Sequence, residues 1–163
     1  MEPRKQVDSL PETVSTTLEN HLLGLQHVGF VVPDLEAALA DLGRLYGIDA
    51  AHIRRVPEGD VEAPARFAFV TLAGAEFELI EPRSDAQKAL LLAAPSGGAG
   101  INHVAWRVRD LDGALARLAE RGIVPGYVTP DGPVVLPGKR MVYLDPDSTG
   151  GHFVELIEHA EDQ

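Results

Sequence analysis

Two stretches of the chain repeat the same pattern of hydrophobic and polar positions. Residues 25–39 read LQHVGFVVPDLEAAL, and residues 101–115 read INHVAWRVRDLDGAL, at an offset of 76. In each stretch an alternating apolar run, typical of a half-buried strand, precedes an aspartate and then leucines and alanines at helical spacing. The segment Glu-Leu-Ile-Glu at 78–81 recurs at 155–158, at an offset of 77. Since both ends match at a nearly constant offset, we predict two copies of one unit.

Each copy predicts a strand, a helix and then three further strands. The predicted strands are 25–32, 52–57, 65–72 and 75–81 in the first copy, and 101–108, 126–129, 139–145 and 152–158 in the second. Asp34 and Asp110 occupy the N-cap position of the two helices, while Gly47 and Gly122 mark their ends. Two tandem βαβββ modules predict an α+β fold whose paired sheets form an open cleft.

The boundaries of the pattern predict one domain preceded by an arm. The predicted organisation is an N-terminal arm over 1–22 and one domain over 23–163, made of the repeats 24–82 and 100–159. Between the repeats, an apolar stretch at 85–94 predicts a short helix, and the glycine-rich stretch 96–100 predicts a flexible hinge.

Composition and charge narrow the classes of function. Among the 163 residues, 45% are hydrophobic and 24% charged, which are ordinary values for a globular domain. The net charge of −11 argues against nucleic-acid binding. No apolar run reaches the roughly 20 residues of a membrane span, and the polar N-terminus lacks the apolar core of a signal peptide, so we expect no membrane partner and a cytoplasmic location. Because the chain has no cysteine, a metal site would have to use His, Asp, Glu or Gln.

The repeat places two histidines and two glutamates at equivalent positions. His27 and His103 lie on the first strand of each copy, and Glu78 and Glu155 lie on the last. If a pseudo-two-fold axis relates the copies, all four converge near it. Two imidazoles and two carboxylates form a neutral site with one divalent cation, a ligand set that suits Mn, Fe, Co, Ni or Zn.

Other repeated or charged positions receive plainer interpretations. Glu81 and Glu158 also repeat, and we interpret them as solvated strand ends. Trp106 and Phe153 are interpreted as core or cleft wall. The remaining histidines have no counterpart in the other copy and are interpreted as ordinary surface or core residues: His21, His52, His152 and His159.

The arrangement resembles the vicinal oxygen chelate superfamily, which includes glyoxalase I, extradiol dioxygenases, bleomycin-resistance proteins and methylmalonyl-CoA epimerase. The resemblance covers about residues 24–159. Three segments are similar to the epimerases in particular: Ala-Trp-Arg-Val at 105–108, Pro-Gly-Lys-Arg at 137–140 and Asp-Pro-Asp-Ser-Thr-Gly-Gly at 145–151. The resemblance implies a glyoxalase-like fold and metal ligation by His27, Glu78, His103 and Glu155.

The resemblance also implies a reaction. It is the epimerisation of methylmalonyl-CoA, or of a related 2-substituted acyl-CoA, through an enolate and with the help of a divalent metal ion. Two bases on opposite faces would move the proton, and the resemblance assigns these roles to Glu155 and Glu62, with Glu58 as the other candidate for the second. Lys139 and Arg140 would contact the acidic CoA tail. The family expectation for assembly is a homodimer.

Two alternatives stay open at this point. A glyoxalase I-like lactoylglutathione lyase shares the ligand set and the enolate chemistry, although the Ser-Thr-Gly-Gly segment favours an epimerase. A non-catalytic small-molecule-binding protein of the same superfamily is the other alternative, but such binders usually lack a complete ligand set. A dioxygenase is disfavoured because its iron site uses a facial triad with open positions.

Overall fold

In the described part of the chain, one mixed sheet of eight strands carries three α-helices packed on it. The computed structural model describes residues 18–59, 61–92 and 100–162. The strands are β1 (Leu22–Val31), β2 (Ile53–Val56), β3 (Ala65–Leu72), β4 (Ala75–Pro82), β5 (Gly100–Val108), β6 (Val134–Leu136), β7 (Lys139–Tyr143) and β8 (Val154–His159). The helices are α1 (Leu35–Tyr46), α2 (Asp85–Leu92) and α3 (Leu111–Ala119). Each module is a βαβββ unit, so the predicted fold class is confirmed.

The strand order reveals the two-fold relation between the modules. The order is β2-β3-β4-β1-β5-β8-β7-β6, so exchanging the modules gives the same order read from the opposite edge of the sheet. At the centre β1 and β5 are antiparallel, and each has the last strand of its own module as a parallel neighbour on its other side. His27 lies opposite Ala105, and Gly29 lies opposite His103. The repeat offset of 76 interchanges these two pairs, so the pseudo-two-fold axis passes between them.

Helices α1 and α3 cover the sheet face that does not carry Glu78 and Glu155. Since side chains alternate along a strand, the neighbours of these glutamates point the other way. The core under α1 consists of Leu35, Leu39, Ala68, Val70 and Leu79. The core under α3 consists of Val108, Leu111, Leu118, Val142, Leu144 and Leu156. The opposite face is therefore left for the site.

Capping residues begin α1 and α3 and end α1 as the sequence predicts, whereas α3 ends at Ala119, before the predicted Gly122. The Asp34 carboxylate accepts a hydrogen bond from the backbone N–H of Ala37 at 2.9 Å, and Gly47 ends α1 with φ of 68°. Asp110 likewise accepts from the N–H of Gly113 at 3.0 Å. These bonds satisfy N–H groups that have no partner within the helix.

One predicted strand is wrong. Residues 126–129 form a turn, and the second module instead uses β6 at the edge of the sheet, paired with β7. The Gly126 N–H donates to the Tyr143 carbonyl at 3.0 Å, but Tyr127 then adopts φ of 59°, which breaks the extended path. A Cβ on Gly126 would lie 2.6 Å from that of Asp145, so the chain turns where only glycine fits.

The interpretation of Glu158 as a solvated strand end is also wrong. Its side chain is buried beneath the start of α3, where it accepts from the Leu111 N–H at 3.1 Å and from Arg140 Nη1 at 3.3 Å. Glu81, its counterpart, is half-buried and pairs with Arg83 at 3.3 Å. Both carboxylates therefore have structural partners.

The ends of several elements differ slightly from prediction. Strand β1 begins at Leu22, three residues early, and Leu18 and Leu22 pack against the core under α3. Residues 1–17 of the predicted arm, residues 93–94 of the predicted helix and residues 96–99 of the predicted hinge lie outside the described residues. Within the described part of the chain, no helix is both long and apolar enough to cross a membrane.

Candidate metal centre

Four buried side chains from the four central strands converge on the open face of the sheet. The Nε2 atoms of His27 and His103 lie 3.1 Å apart. Glu78 Oε2 lies 3.3 Å from each of these nitrogens. Glu155 Oε2 lies 3.2 Å from the first and 3.4 Å from the second. None of the four residues is more than 8% exposed. Each of the two glutamates therefore contacts both imidazoles, and the imidazoles contact each other.

Strand register explains why these four positions meet. Glu78 on β4 lies opposite Gly29 on β1, which lies opposite His103 on β5. The pseudo-two-fold axis turns this row into a second one beside it. The second row consists of Glu155, Ala105 and His27. Because each row contributes one imidazole and one carboxylate, the axis passes through the cluster.

Gly29 leaves room for an imidazole. A Cβ built on Gly29 would lie 2.0 Å from His103 Cε1 and 2.4 Å from its Nδ1, far inside van der Waals contact. At the equivalent position next to His27 the chain carries Ala105, which is fully buried. The two halves of the site are therefore similar but not identical. In the His103 half, the imidazole fits only because Gly29 has no side chain.

Asn102 fixes which nitrogen of His103 faces the cluster. Its Oδ1 lies 3.0 Å from His103 Nδ1. An amide oxygen only accepts, so Nδ1 donates its proton to it, and Nε2 is the nitrogen that faces the cluster and would bind a metal once its own proton is lost. An outer hydrogen bond of this kind orients metal-ligating histidines in proteins.

The pKa values of the four clustered side chains are shifted because imidazoles and carboxylates lie close together and are buried. Burial lowers the pKa of His27, but contacts with Glu155 and Glu78 outweigh burial and raise that pKa to about 9. The pKa of His103 is raised against burial by the same carboxylates. Burial raises the pKa of Glu78, but the two imidazoles overcome it and lower that pKa to about 2. The pKa of Glu155 is also lowered, against burial, chiefly by the histidines.

This donor set fits a divalent cation. Glu155 Oε2 is buried and has no hydrogen-bond partner other than the two imidazole nitrogens that lie within 3.4 Å. His27, His103 and Glu155 offer ligand atoms that all lie within 4.8 Å of one another, and Glu78 Oε2 contacts both imidazoles. Two neutral imidazoles and two carboxylates balance a charge of +2. Nitrogen and oxygen donors without thiolate suit the first-row divalent metals.

Aromatic rings line both sides of the cluster, and sequence reasoning missed two of them. The Phe69 ring lies 6.2 Å from the His27 ring, and the Tyr143 ring lies 5.3 Å from the His103 ring, both edge-on. In register, Phe69 lies opposite Glu78, as Tyr143 lies opposite Glu155. Correct pairing of the last two strands of each module would have identified both. Phe153 stacks on Tyr143 and forms part of the wall, as predicted.

The candidate bases outside the cluster lie on the loop between β2 and β3. Glu62 is exposed and lines an open cavity of about 620 Å³ together with Arg66, Arg83 and Ser84. Among the described residues, no hydrogen bond or ion pair joins Glu62 to the four clustered side chains. Glu58 is exposed on the same loop and does not line this cavity.

The two predicted CoA contacts lie on opposite faces of β7. Arg140 pairs with Asp112 at 2.6 Å and with Glu158 at 3.3 Å on the α3 side. Lys139 alternates with Arg140 and is in phase with Tyr143, so it lies on the face that carries the cluster. Of the two, only Lys139 shares a face with the cluster.

The fold and site together define a class: paired βαβββ modules with a buried cluster of two histidines and two glutamates on their shared two-fold axis. The family model of the glyoxalase/bleomycin resistance protein/dioxygenase superfamily matches residues 26–140. The chain therefore belongs to this superfamily.

Within the superfamily, the chain is similar to methylmalonyl-CoA epimerases. The chain is 30% identical over 133 residues to the ethylmalonyl-CoA/methylmalonyl-CoA epimerase of Cereibacter sphaeroides, a match that spans 81% of this chain and 95% of that protein. The methylmalonyl-CoA epimerase structure from Mycobacterium tuberculosis superposes with a TM-score of 0.66 at 26% identity, covering 85% of this chain and 89% of that one. A methylmalonyl-CoA epimerase solved in complex with methylmalonyl-CoA and NH4+ gives a TM-score of 0.64 at 27% identity, covering 87% and 98%.

Proposed function

We propose that the protein is a metal-dependent epimerase of methylmalonyl-CoA or of a related 2-substituted acyl-CoA, acting through an enolate. The observation that carries this proposal is the buried carboxylate of Glu155, one oxygen of which has no partner other than the two imidazoles beside it. The similarity to acyl-CoA epimerases over most of both chains supports the substrate class.

The four clustered residues would hold the metal, and their positions suit proton removal beside a thioester. A divalent cation held there would supply Lewis-acid stabilisation of the negative charge that develops on the thioester oxygen. Glu155 accepts the proton on one face of the substrate. In the metal-free protein its pKa is lowered, so the carboxylate is ionised at neutral pH, and it is buried beside Tyr143. A positioned base of this kind contributes about 10²–10⁴-fold in rate.

Epimerisation also needs a proton donor on the opposite face, and Glu62 is assigned to it. Glu62 lines an open cavity with two arginines, and the carbonyl of Pro64 anchors its loop by accepting from the N–H groups of Arg83 and Ser84 at 2.8 and 2.9 Å. Substrate entry would have to bring this loop and the α-carbon together. Glu58 is the alternative on the same loop.

The remaining assignments complete the proposal. Lys139 contacts the CoA tail, whereas Arg140, already paired with two carboxylates, contributes less to this contact than the sequence suggested. Co, Mn, Ni, Zn or Fe is the native metal, since the donor set accepts each of them. The protein works as a homodimer in the cytoplasm.

The test follows proton exchange at the α-carbon. The protein is loaded with Co²⁺ and mixed with each epimer of methylmalonyl-CoA in D₂O, and loss of the α-proton and interconversion of the epimers are recorded by NMR. We expect rapid, metal-dependent exchange by the wild type. Glu62→Gln should retain its metal and exchange the proton of only one epimer, with interconversion about 10²-fold slower or more. Glu120→Gln, on an exposed position of α3's end, is the matched control.

The outcomes separate the open functions. Absence of exchange with metal bound would exclude methylmalonyl-CoA as substrate. Conversion of a glutathione hemithioacetal by the same preparation would then identify a glyoxalase I-like lyase. Metal binding without either reaction would identify a binding protein.

A further inference from the structure

Arg54 ends a series of contacts that leads from the metal centre to the solvent. In register it lies opposite Phe69, which lies opposite Glu78. The Arg54 guanidinium carbon sits 4.0 Å from the centre of the Phe69 ring, and that ring contacts His27. The Arg54 side chain is 59% exposed. A cation is therefore held over the aromatic wall beside the cluster.

The guanidinium lacks a close carboxylate. Its ion pair with Glu76 is 4.0 Å long. Each of the other arginines on the described strands lies within 3.3 Å of a carboxylate oxygen: Arg55, Arg66, Arg107 and Arg140. Phe69 covers one face of the guanidinium through a cation–π contact. The edge, with its fork of N–H donors, stays free to meet a carboxylate or phosphate.

The net charge of the protein bears on the role of the Arg54 guanidinium. With a net charge of −11, the chain as a whole repels an anionic substrate. The proposed substrate class carries a free carboxylate and several phosphates, so its approach to the centre requires a local positive charge. We propose that Arg54 binds an anionic oxygen group of the acyl-CoA, its carboxylate or its phosphates, and positions the substrate at the metal centre. This inference rests on the proposed function.

The neighbouring residue supplies a matched control. Arg55 lies on the opposite face of β2 and pairs with Glu36 of α1 at 2.9 Å. Substituting either arginine removes one positive charge from adjacent positions of the same strand. A difference between the two variants therefore reports the local position of Arg54 rather than net charge.

The experiment measures kcat and KM of the Co²⁺ enzyme for methylmalonyl-CoA and for the methylmalonyl thioester of N-acetylcysteamine, which keeps the carboxylate but lacks phosphates. For Arg54→Met we expect KM for methylmalonyl-CoA to rise about tenfold, with kcat and metal content near those of the wild type, because uniform binding is lost. The dependence of kcat/KM on salt should also weaken. Arg54→Lys should recover part of the KM, and Arg55→Met should behave as wild type.

The short thioester identifies the anion. If the defect of Arg54→Met persists with it, the carboxylate is the partner, and if the defect disappears, the phosphates are. Equal KM values for Arg54→Met and Arg55→Met with both substrates would overturn the proposal for Arg54. A wild-type enzyme inactive toward both substrates would instead overturn the proposed function, so the two failures are distinguishable.

Discussion

Gly29 and Asn102 place the imidazole of His103, although neither carries a ligand atom. Asn102 Oδ1 accepts a hydrogen bond from the Nδ1–H, and Gly29 leaves the space that the ring fills. The histidine is 1% exposed, so it has no room to shift without leaving the cluster. The geometry of the site therefore depends on one hydrogen bond and one absent side chain.

Gly29→Ala tests the close approach. Gly29 does not have a positive φ, so the backbone accepts alanine, and the clash of its Cβ with His103 is the single cost. We expect His103 to be displaced, the affinity for Co²⁺ to fall at least about tenfold, and stability to drop by about 1–3 kcal/mol from overpacking. Cobalt titration followed by absorption, together with urea unfolding, measures both.

Gly43→Ala is the control for that substitution. On α1, a Cβ at Gly43 would meet its nearest neighbour, the Ile48 carbonyl, at an ordinary 3.8 Å. In a helix interior alanine is favoured over glycine by about 0.5–1 kcal/mol. This variant should gain stability and bind Co²⁺ as the wild type does. Unchanged cobalt affinity in Gly29→Ala would show that His103 does not need this space.

Residue identities at the centre could be predicted because the repeat marks them. Each histidine is ordinary alone, but His27 and His103 share a position in two copies, as Glu78 and Glu155 do. Phe69 shows where this reasoning fails. It has no counterpart at the repeat offsets, and its role follows from strand register, which an offset comparison does not contain.

Among the elements, α3 is joined to the sheet by a buried carboxylate. Glu158 on β8 accepts from the Leu111 N–H, while Asp110 accepts from the Gly113 N–H, so two carboxylates serve the first turn of one helix. Negative charge at a helix N-terminus is favourable because of the helix dipole. Arg140 compensates the buried charge from the other side.

Glu158→Ala should therefore destabilise the fold without altering the centre. Removing the carboxylate leaves the buried Leu111 N–H without this acceptor, at a cost of about 1–3 kcal/mol. Glu158→Gln keeps an acceptor and should lose less. Urea unfolding of the metal-free proteins measures the difference, with Glu120→Ala, an exposed ion-pair residue, expected to change stability by less than about 1 kcal/mol. Equal stability of Glu158→Ala and wild type would mean that this bond does not hold α3.

Elements with strong periodicity were predicted well, and irregular ones were not. Strand β3 has its predicted bounds, and both N-caps are correct, because apolar alternation and capping are local signals. The segment 126–129 was misassigned because its apolar residues suggest a strand, whereas Gly126 approaches Asp145 closely and Tyr127 adopts a positive φ. These are consequences of tertiary contact and leave no local pattern.

At the scale of the whole molecule, duplication builds one site from two halves. Neither module alone contains more than one imidazole and one carboxylate of the cluster. The antiparallel pairing of β1 with β5 unites them, so metal binding should stabilise the contact between the modules. Binding of the ion should thus raise the free energy of unfolding of the entire domain.

The response of stability to pH should change sign when metal is added. In the metal-free protein the pKa of His27 is raised to about 9 from an unfolded value near 6.5, so its contribution is complete below 6.5 and is lost as the pH rises through 9. Glu78, with its pKa lowered to about 2, contributes above 4.5 and loses this only as the pH falls through 2. With chelator present, stability should therefore decline between pH 6.5 and 9, by on the order of 2–3 kcal/mol.

A divalent metal must displace imidazole protons to bind, so the stabilisation it adds should grow over the same pH range, by about tenfold in affinity per pH unit for each proton released. Urea unfolding at several pH values, with chelator and with Zn²⁺, measures both slopes. His27→Gln should flatten the decline of stability in chelator and reduce the pH-dependent gain from Zn²⁺. Parallel slopes with and without Zn²⁺ would show that the imidazoles are not the groups that hold the ion.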